Sequence, residues 1–512
     1  MVDGKLLTEK LLKYAKKFLH LNERDETYMR NILLREFGED YPASDVGDLS
    51  YIEELSVPDI LVEEIETLGL ERGKCEEGLT NLYSTYIMGI LSPLPSKVNE
   101  DFIKIKETEG IEAACKYFYD LSIMNNYVQK TAIGRNLKWE YQDGSKYLEI
   151  TVNLSKPEKS NKDIAKLLSM PKADKKYPAC LLCKENEGFK GTATHPAREN
   201  IRTISLKMGG EDWFVQYSPY AYYNEHMIAI NTEHTPMKIQ RSTMAKLMDF
   251  VDFFPNYMIG SNASLPIVGG SILNHEHFQG GEHLMPMHKA PVKEYFTCAK
   301  YPQIKVGIVD WYNSVIRLES EDRDAIKTFA GDIIETWETY TDEKCFIYAE
   351  TDGVPHNSLS PVCRREGNKY IVDMILRNNI TTEEYPEGVY HAHPEYHNIK
   401  KEGIGLIEAM GLFILPGRLK TQLLMIAEIL CEKTEYNEVE LSNPENYLYA
   451  HKDMIKSLVE EGLSKDLADA ENRVTNRVNE TCKNILFNTA VYKPDENGAQ
   501  GFKRFLSTLG VK

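Results

Sequence analysis

Two histidines separated by one residue, His275 and His277, lie between two pairs of glycines in the segment 269–281. The mixture of apolar and polar residues in this segment predicts a strand over 272–278. Side chains alternate between the two faces of a strand, so residues two apart share a face. One face is therefore expected to carry Ser271, His275, His277 and Gln279.

His277 has the chemistry of a nucleophile that attacks phosphorus. An imidazole is largely unprotonated at neutral pH, and a carbonyl acceptor can fix its second ring nitrogen. The glycines at 269–270 and 280–281 remove side chains on both flanks, which close approach of the backbone to a phosphate requires. Gln279 can donate its amide to a phosphoryl oxygen. The alternative is a half-exposed strand whose histidines are merely solvated.

Two other groups of residues are candidates for metal binding. Cys180 and Cys183 form a Cys-x-x-Cys pair, which needs two further ligands to complete a tetrahedral zinc site. Without them, a redox pair or coincidence explains the spacing equally well. His391 and His393 form a second His-x-His pair, expected on one face of a strand.

The elements that position these residues indicate an α+β protein. The predicted helices are 1–20, 25–37, 58–68, 241–254 and 322–340, and the predicted strands are 147–154, 213–217, 227–230 and 272–278. Strands, a histidine-rich segment and a helix occur in this order twice. We therefore expect an amino-terminal helical region at 1–135, a catalytic domain at 136–320 and a related carboxy-terminal domain at 321–512.

Composition excludes several classes of protein. The 512 residues are 42% hydrophobic and 27% charged, as in ordinary globular proteins. A net charge of -18 without a basic stripe argues against nucleic-acid binding. The sequence contains neither a signal peptide nor an uncharged apolar run long enough to span a bilayer. Nine scattered cysteines favour free or metal-bound thiols over disulfides, which predicts a cytoplasmic protein.

The segment 264–281 resembles the signature of the class II, Firmicutes-type galactose-1-phosphate uridylyltransferases, a branch of the histidine-triad superfamily. Further segments resemble motifs of this family in the same order: 177–188, 195–198, 216–220, 224–226, 234–237 and 355–357. The resemblance covers most of the chain. Two residues depart from the family pattern, because Ser264 replaces the usual Asp and Asn274 a small residue. Neither lies on the face predicted for His277, so the departures concern substrate contacts rather than the reaction.

The resemblance implies a fold and a reaction. The fold would consist of two histidine-triad-like halves, each with an antiparallel sheet and packed helices, in a chain that forms a homodimer. The reaction would be a step of galactose metabolism in the Leloir pathway. His277 would attack UDP-glucose and release glucose 1-phosphate. The resulting uridylyl-histidine would react with galactose 1-phosphate to give UDP-galactose.

Gln279 favours transfer to a sugar phosphate over transfer to water. Histidine-triad hydrolases carry a third histidine at this position, where it helps to protonate the leaving group. A sugar phosphate leaves readily without a proton. Glutamine therefore suits an intermediate that waits for a second sugar phosphate.

The resemblance also implies metal ligands. In class I uridylyltransferases, a cysteine pair is completed by two histidines whose matching positions here are His234 and His275. With Cys180 and Cys183 they would hold a structural zinc that positions His277 without joining the chemistry. Class I enzymes hold a second, iron-type ion near the later His-x-His pair. The corresponding residues here would be His391, His393, His356 and Glu294, and satisfied or substrate-facing histidines are the alternative.

Several residues are expected to bind the phosphates of the two substrates. The segment 400–405 resembles the sugar-phosphate-binding stretch of the family, with Lys401 as the favoured contact and a solvated turn as the alternative, above all for Lys400. Predicted contacts to the UDP portion are Arg198, Arg202, Lys156, Lys159, Asn262 and Ser271.

Two other functions remain open at this point. A nucleotide hydrolase or phosphorylase of the same superfamily would turn over a nucleotide without galactose 1-phosphate, and Gln279 argues against it. A non-catalytic zinc protein built on Cys180 and Cys183 would be unaffected by His277→Ala, and the resemblance in many motifs argues against it.

Overall fold

The computed structural model describes residues 2–155, 177–270 and 272–512. Three of the predicted phosphate contacts lie outside the described residues, namely Lys156, Lys159 and Ser271. The helices are α1 (Gly4–Phe18), α2 (Glu26–Phe37), α3 (Asp59–Glu71), α4 (Thr80–Leu91), α5 (Pro95–Glu109), α6 (Ile111–Met124), α7 (Lys130–Gly134), α8 (Arg241–Phe253), α9 (Pro286–Lys289), α10 (Arg323–Glu338), α11 (Leu406–Ala409), α12 (Leu419–Leu430), α13 (Glu438–Leu441), α14 (Lys452–Glu460), α15 (Leu467–Thr489) and α16 (Glu496–Thr508).

The strands are β1 (Leu137–Asp143), β2 (Lys146–Asn153), β3 (Ile204–Met208), β4 (Glu211–Tyr217), β5 (Met227–Asn231), β6 (Met258–Gly260), β7 (His277–Gly281), β8 (Val292–Phe296), β9 (Lys305–Val309), β10 (Val315–Ser320), β11 (Glu350–Thr351), β12 (Val354–Pro355), β13 (Asn357–Glu366), β14 (Lys369–Asn378) and β15 (Leu412–Pro416). The predicted α+β class is confirmed. No helix in the described part of the chain is both long and apolar enough to span a bilayer.

The residues group into two compact units. The first comprises Met1–Arg135, Ser155–Thr235 and His275–Gly281, and the second comprises Asn136–Leu154, Pro236–Asn274 and Glu282–Lys512. The three-part division expected from the sequence stays a prediction.

The first unit combines helices α1 to α7 with an antiparallel sheet in the order β3, β4, β5, β7. The helices predicted over 1–20, 25–37 and 58–68 are confirmed as α1, α2 and α3. Helix α1 begins at Gly4 because the carboxylate of Asp3 accepts hydrogen bonds from the first free backbone N–H groups. Its apolar residues at helical spacing, among them Leu7 and Leu11, are fully buried.

The predicted strand over 272–278 is wrong in its extent, because β7 begins only at His277. The backbone before it bonds to the loop at 235–237 instead. The N–H of Glu276 donates to the carbonyl of Thr235 at 2.6 Å. His275 therefore lies outside the strand, and the alternation argument holds only for His277 and Gln279.

The second unit contains an antiparallel sheet in the order β6, β13, β14, β10, β9, β8 and a smaller sheet in which β2 pairs with β1 and, in parallel, with β15. Helices α8 and α10 confirm the helices predicted over 241–254 and 322–340, and they pack on β13 and on each other. Arg241 of α8 links them through Asp332 of α10 at 2.7 Å.

The second His-x-His pair is not on a strand, contrary to prediction, since His391 and His393 lie in an irregular segment after β14. Local contacts shape this segment. The N–H of Ile404 donates to Nε2 of His391 at 3.1 Å, and Nε2 of His393 is 3.0 Å from the carbonyl oxygen of Val389.

Candidate active site and metal centre

His277 is the first residue of β7 and pairs with Ile230 of β5. It is 7% exposed, and burial holds the pKa of its imidazole below the usual range. Its Nδ1 is 2.8 Å from the carbonyl oxygen of His275. A carbonyl can only accept, so Nδ1 carries the proton and donates. The neutral ring therefore has an unprotonated Nε2, whose lone pair can attack phosphorus.

Gln279 lies two residues along β7, on the same face as His277. Its Oε1 is 3.1 Å from Nε2 of His226, a residue that is 2% exposed. Burial lowers the pKa of His226 to about 4. In the sequence, His226 belongs to the motif at 224–226, but no spacing pattern predicts a role for it. Its contact depends on the pairing of β5 with β7, which the sequence does not reveal.

Four predicted metal ligands lie together in the first unit: Cys180, Cys183, His234 and His275. The two sulfurs are 3.6 Å apart. Nδ1 of His275 is 3.3 Å from Sγ of Cys180, and Nδ1 of His234 is 3.1 Å from Sγ of Cys183. Tetrahedral zinc with two sulfur and two nitrogen ligands separates them by about 3.3 to 3.8 Å. The donor set and its spacing therefore fit a tetrahedral metal ion.

Neighbouring residues hold three of the four ligands in place. Nε2 of His275 donates to the backbone carbonyl of Asn231 at 2.8 Å, which leaves Nδ1 for a metal. The side-chain amide of Asn186 donates to the carbonyls of Cys180 and Cys183 at 2.9 and 2.8 Å. His195 in turn lies 2.7 Å from Oδ1 of Asn186. The sequence does not predict these contacts, because those of Asn186 lie within one irregular loop and that of His275 joins residues 44 positions apart.

The arginines predicted to bind UDP differ in their surroundings. The guanidinium of Arg198 is partly exposed and lies 5.6 Å from the centre of the Tyr127 ring. Arg202 is buried and donates to the backbone carbonyls of Gly89 and Pro93, at the end of α4. The prediction of Arg202 as a UDP contact is therefore wrong, because backbone carbonyls already accept hydrogen bonds from its guanidinium N–H groups.

The predicted contacts in the second unit also differ from one another. Oδ1 of buried Asn262 accepts from the N–H of Leu406 at 2.8 Å. Lys400 is buried and donates to Glu408 at 3.0 Å, so it holds the fold rather than a phosphate. Lys401 is exposed.

A second metal site receives no support from the described residues. The only cluster of three or more potential ligands among them is the one built on Cys180. His356 contacts the side chain of Asn379 at 3.0 Å, and Glu294 pairs with Lys503 at 2.8 Å. The four residues predicted for this site thus have other partners.

The chain is similar to known proteins along most of its length. Residues 20–236 match the family model of the N-terminal domain of galactose-1-phosphate uridyl transferase, and residues 250–443 match that of the C-terminal domain. A galactose-1-phosphate uridylyltransferase of Caldanaerobacter subterraneus subsp. tengcongensis is 44% identical over 100% of this chain and 99% of that protein. Enzymes of the same name from Fusobacterium nucleatum and Bacillus subtilis are 41% and 40% identical, each over 98% of this chain and over 98% and 97% of their own length. A crystal structure of yeast Ap4A phosphorylase Apa2 matches 66% of this chain and 92% of that chain, with a TM-score of 0.32 and 11% identity.

Proposed function

Because the chain belongs to the galactose-1-phosphate uridylyltransferase family, we propose that it transfers the uridylyl group of UDP-glucose to galactose 1-phosphate. The products are glucose 1-phosphate and UDP-galactose. The observation that carries this proposal is the hydrogen bond from Nδ1 of His277 to the carbonyl of His275, which leaves Nε2 as a nucleophile.

In the first half-reaction, Nε2 of His277 attacks the α-phosphorus of UDP-glucose. A phosphorus–nitrogen bond forms as the bond from phosphorus to the bridging oxygen breaks. Glucose 1-phosphate leaves with the electron pair and needs no proton. Positive charge develops on the imidazole, and the carbonyl of His275 stabilises it through the Nδ1–H bond.

In the second half-reaction, a phosphate oxygen of galactose 1-phosphate attacks the same phosphorus. The phosphorus–nitrogen bond breaks, and its electron pair returns to Nε2 of His277. UDP-galactose forms and the free enzyme is restored. The charge on the phosphoryl oxygens is similar in the transition states of both half-reactions. The same hydrogen-bond donors can therefore stabilise both.

Gln279 supports transfer rather than hydrolysis. Its amide NH₂ can donate to a phosphoryl oxygen but supplies no acidic proton to a leaving group. A hydrolase or phosphorylase of the same superfamily is for this reason the weaker alternative.

We also propose that the metal is zinc and that it is structural, held by Cys180, Cys183, His234 and His275. Zinc would cross-link the loop that contains Cys180 and Cys183 to the residues before β7. His275 joins the two centres, because its side chain faces the cysteines while its carbonyl orients His277. The ligands thereby position the nucleophile without touching substrate.

Substrate contacts beyond β7 stay predictions: Arg198, Asn262, Ser271 and Lys401. A homodimer and a cytoplasmic location are also expected of a member of this family. Sedimentation of the purified protein would test the first.

The decisive experiment compares wild type with His277→Ala. With UDP-glucose alone, the wild type should release about one equivalent of glucose 1-phosphate per site and leave an acid-labile uridylyl group on His277. His277→Ala should form no adduct and show no transfer. His20→Asn is the control, because it removes an exposed imidazole in a left-handed position that asparagine tolerates. Activity that survives His277→Ala would overturn the mechanism.

A further inference from the structure

A buried histidine, His226, contacts Gln279 of β7. Nε2 of His226 is 3.1 Å from Oε1 of Gln279. The imidazole packs against two aromatic rings, with centroid distances of 4.5 Å to Tyr223 and 5.4 Å to Tyr222. Gln279 itself is partly exposed, although its side chain contacts this buried partner.

The chemistry of His226 decides how the amide of Gln279 is oriented. Burial keeps His226 neutral near pH 7, so its ring carries a single proton. If Nε2 carries it, the ring donates to Oε1, and the NH₂ of Gln279 remains free to donate. Nδ1 lacks a partner among the described residues in either tautomer, so the contact with Gln279 decides between them. With the proton on Nδ1, Nε2 would accept from the NH₂ of Gln279. The amide would also turn its carbonyl oxygen toward an anionic substrate, which is unfavourable.

The surrounding backbone fixes both residues. The N–H of Ser218 donates to the carbonyl of His226 at 2.7 Å, and the hydroxyl of Tyr223 donates to the carbonyl of Gly280 at 3.0 Å. Gly281 has a φ of +143°, and a Cβ there would lie 2.5 Å from the carbonyl oxygen of Glu225. The segments that carry His226 and Gln279 are thus packed in direct contact.

We propose that His226 is a positioning residue for the transfer reaction. It holds the carbonyl of Gln279, so that the NH₂ points to the face shared with His277 and donates to the phosphoryl oxygens in both half-reactions. His226 does not touch the substrate and acts only through Gln279. The inference rests on the proposed uridylyl transfer.

A double-mutant cycle between the two residues tests the inference. His226→Phe fills the buried space but lacks the N–H donor, and Gln279→Ala removes the amide. We expect His226→Phe to lower kcat about tenfold to a hundredfold in both directions, with little change in either KM. In the Gln279→Ala background, His226→Phe should cause little further loss, because the residue has nothing left to orient.

Two further variants separate positioning from folding. His226→Gln places an amide N–H close to the position of Nε2 and should restore most of the kcat that His226→Phe loses. Ser122→Ala removes a buried hydrogen bond to the carbonyl of Phe118 within α6 and should lower the Tm without coupling to Gln279. If His226→Phe fails to fold, His226→Gln is compared with His226→Asn instead. The amide of asparagine is too short to reach Gln279, so His226→Asn should lose the kcat that His226→Gln keeps.

The outcomes distinguish this inference from the proposed function. Additive losses in the cycle, or full activity of His226→Phe, would overturn the positioning role while leaving the transfer intact. An unchanged kcat in Gln279→Ala would overturn it as well. Wild type that transfers no uridylyl group, or His277→Ala that retains transfer, would instead refute the proposed function itself.

Discussion

At the scale of single residues, the site depends on which atom of each side chain is already engaged. His275 directs Nδ1 to the cysteines, Nε2 to the carbonyl of Asn231 and its own carbonyl to His277. Among the described residues, no hydrogen-bond partner engages the second ring nitrogen of His277 or the amide nitrogen of Gln279. The identity of these residues was predictable from the sequence. The engaged atoms of His275 and Gln279 were not, because they are set by residues 44 to 95 positions away, whereas Nδ1 of His277 is engaged by the carbonyl two residues before it.

The variant Gln279→Glu tests the demand for a neutral donor at this position. Glutamate has the same shape and can still accept from His226, so the fold should be retained. Its carboxylate would repel the phosphoryl oxygens instead of donating to them. We expect kcat to fall roughly 10²-fold to 10³-fold, the cost of losing one well-placed donor. Steady-state kinetics measure it, with the Tm as the folding control, and kcat close to wild type would contradict the assignment.

At the scale of elements, β5 and β7 must approach closely for His226 to reach Gln279. Gly281→Ala tests this packing, since its Cβ would collide with the carbonyl of Glu225 at a φ of +143°. We expect a loss of roughly 2 to 4 kcal/mol in the free energy of unfolding and reduced transfer. Gly210→Ala is the matched control, because it also has a positive φ but meets no atom within 4 Å. It should cost only about 1 kcal/mol. Equal losses in urea denaturation would argue against the close approach.

The segment between α7 and β5 also contains a half-buried carboxyl with a pH effect. Burial raises the pKa of Glu199 to about 7, with Lys190 opposing the shift. The folded state thus binds the proton more tightly than the unfolded state. Its stabilising effect is full below about pH 4.5 and is lost as the pH rises through about 7. Glu199→Gln should therefore raise stability at pH 8 by roughly 1 kcal/mol, after allowance for partial exposure, and leave it unchanged at pH 4.5. Thermal unfolding at both pH values, with exposed Glu233→Gln as control, measures the difference, and an equal gain at both would contradict it.

Periodicity predicted most long elements but not the irregular ones that carry chemistry. Helices α1, α2, α8 and α10 bury one apolar face, which leaves a clear pattern in the sequence. The residues before β7 alternate in the way that predicts a strand, yet their backbone bonds to the loop at 235–237. The pair at His391 and His393 likewise is held by local contacts in a loop. Short polar segments of this kind take their shape from individual hydrogen bonds and not from a repeating apolar face, so strand alternation misleads there.

At the scale of the whole molecule, the metal cluster joins parts of the chain that are far apart in sequence. Cys180 and His275 are separated by 95 positions, and the first unit is assembled from three pieces of chain. Closing so long a loop is costly in entropy for the unfolded chain, so a bound metal should stabilise the folded state strongly. The cysteine motif indicated two ligands of this candidate metal site. The resemblance to a sister class suggested the two histidines, which residue spacing alone could not.

Removing one ligand should therefore lower stability and activity together. We expect about one zinc per chain in the wild type, as measured by elemental analysis, and much less in Cys183→Ser, because three remaining ligands leave an open and weaker site. The Tm should fall, and kcat should fall with it, since His275 then no longer holds its carbonyl firmly against Nδ1 of His277. Cys431→Ser is the matched control, because that thiol lies outside the cluster and donates to the carbonyl of Glu428. It should keep its metal, Tm and kcat. If Cys183→Ser loses zinc but keeps the wild-type kcat, the cluster stabilises the fold without positioning the nucleophile.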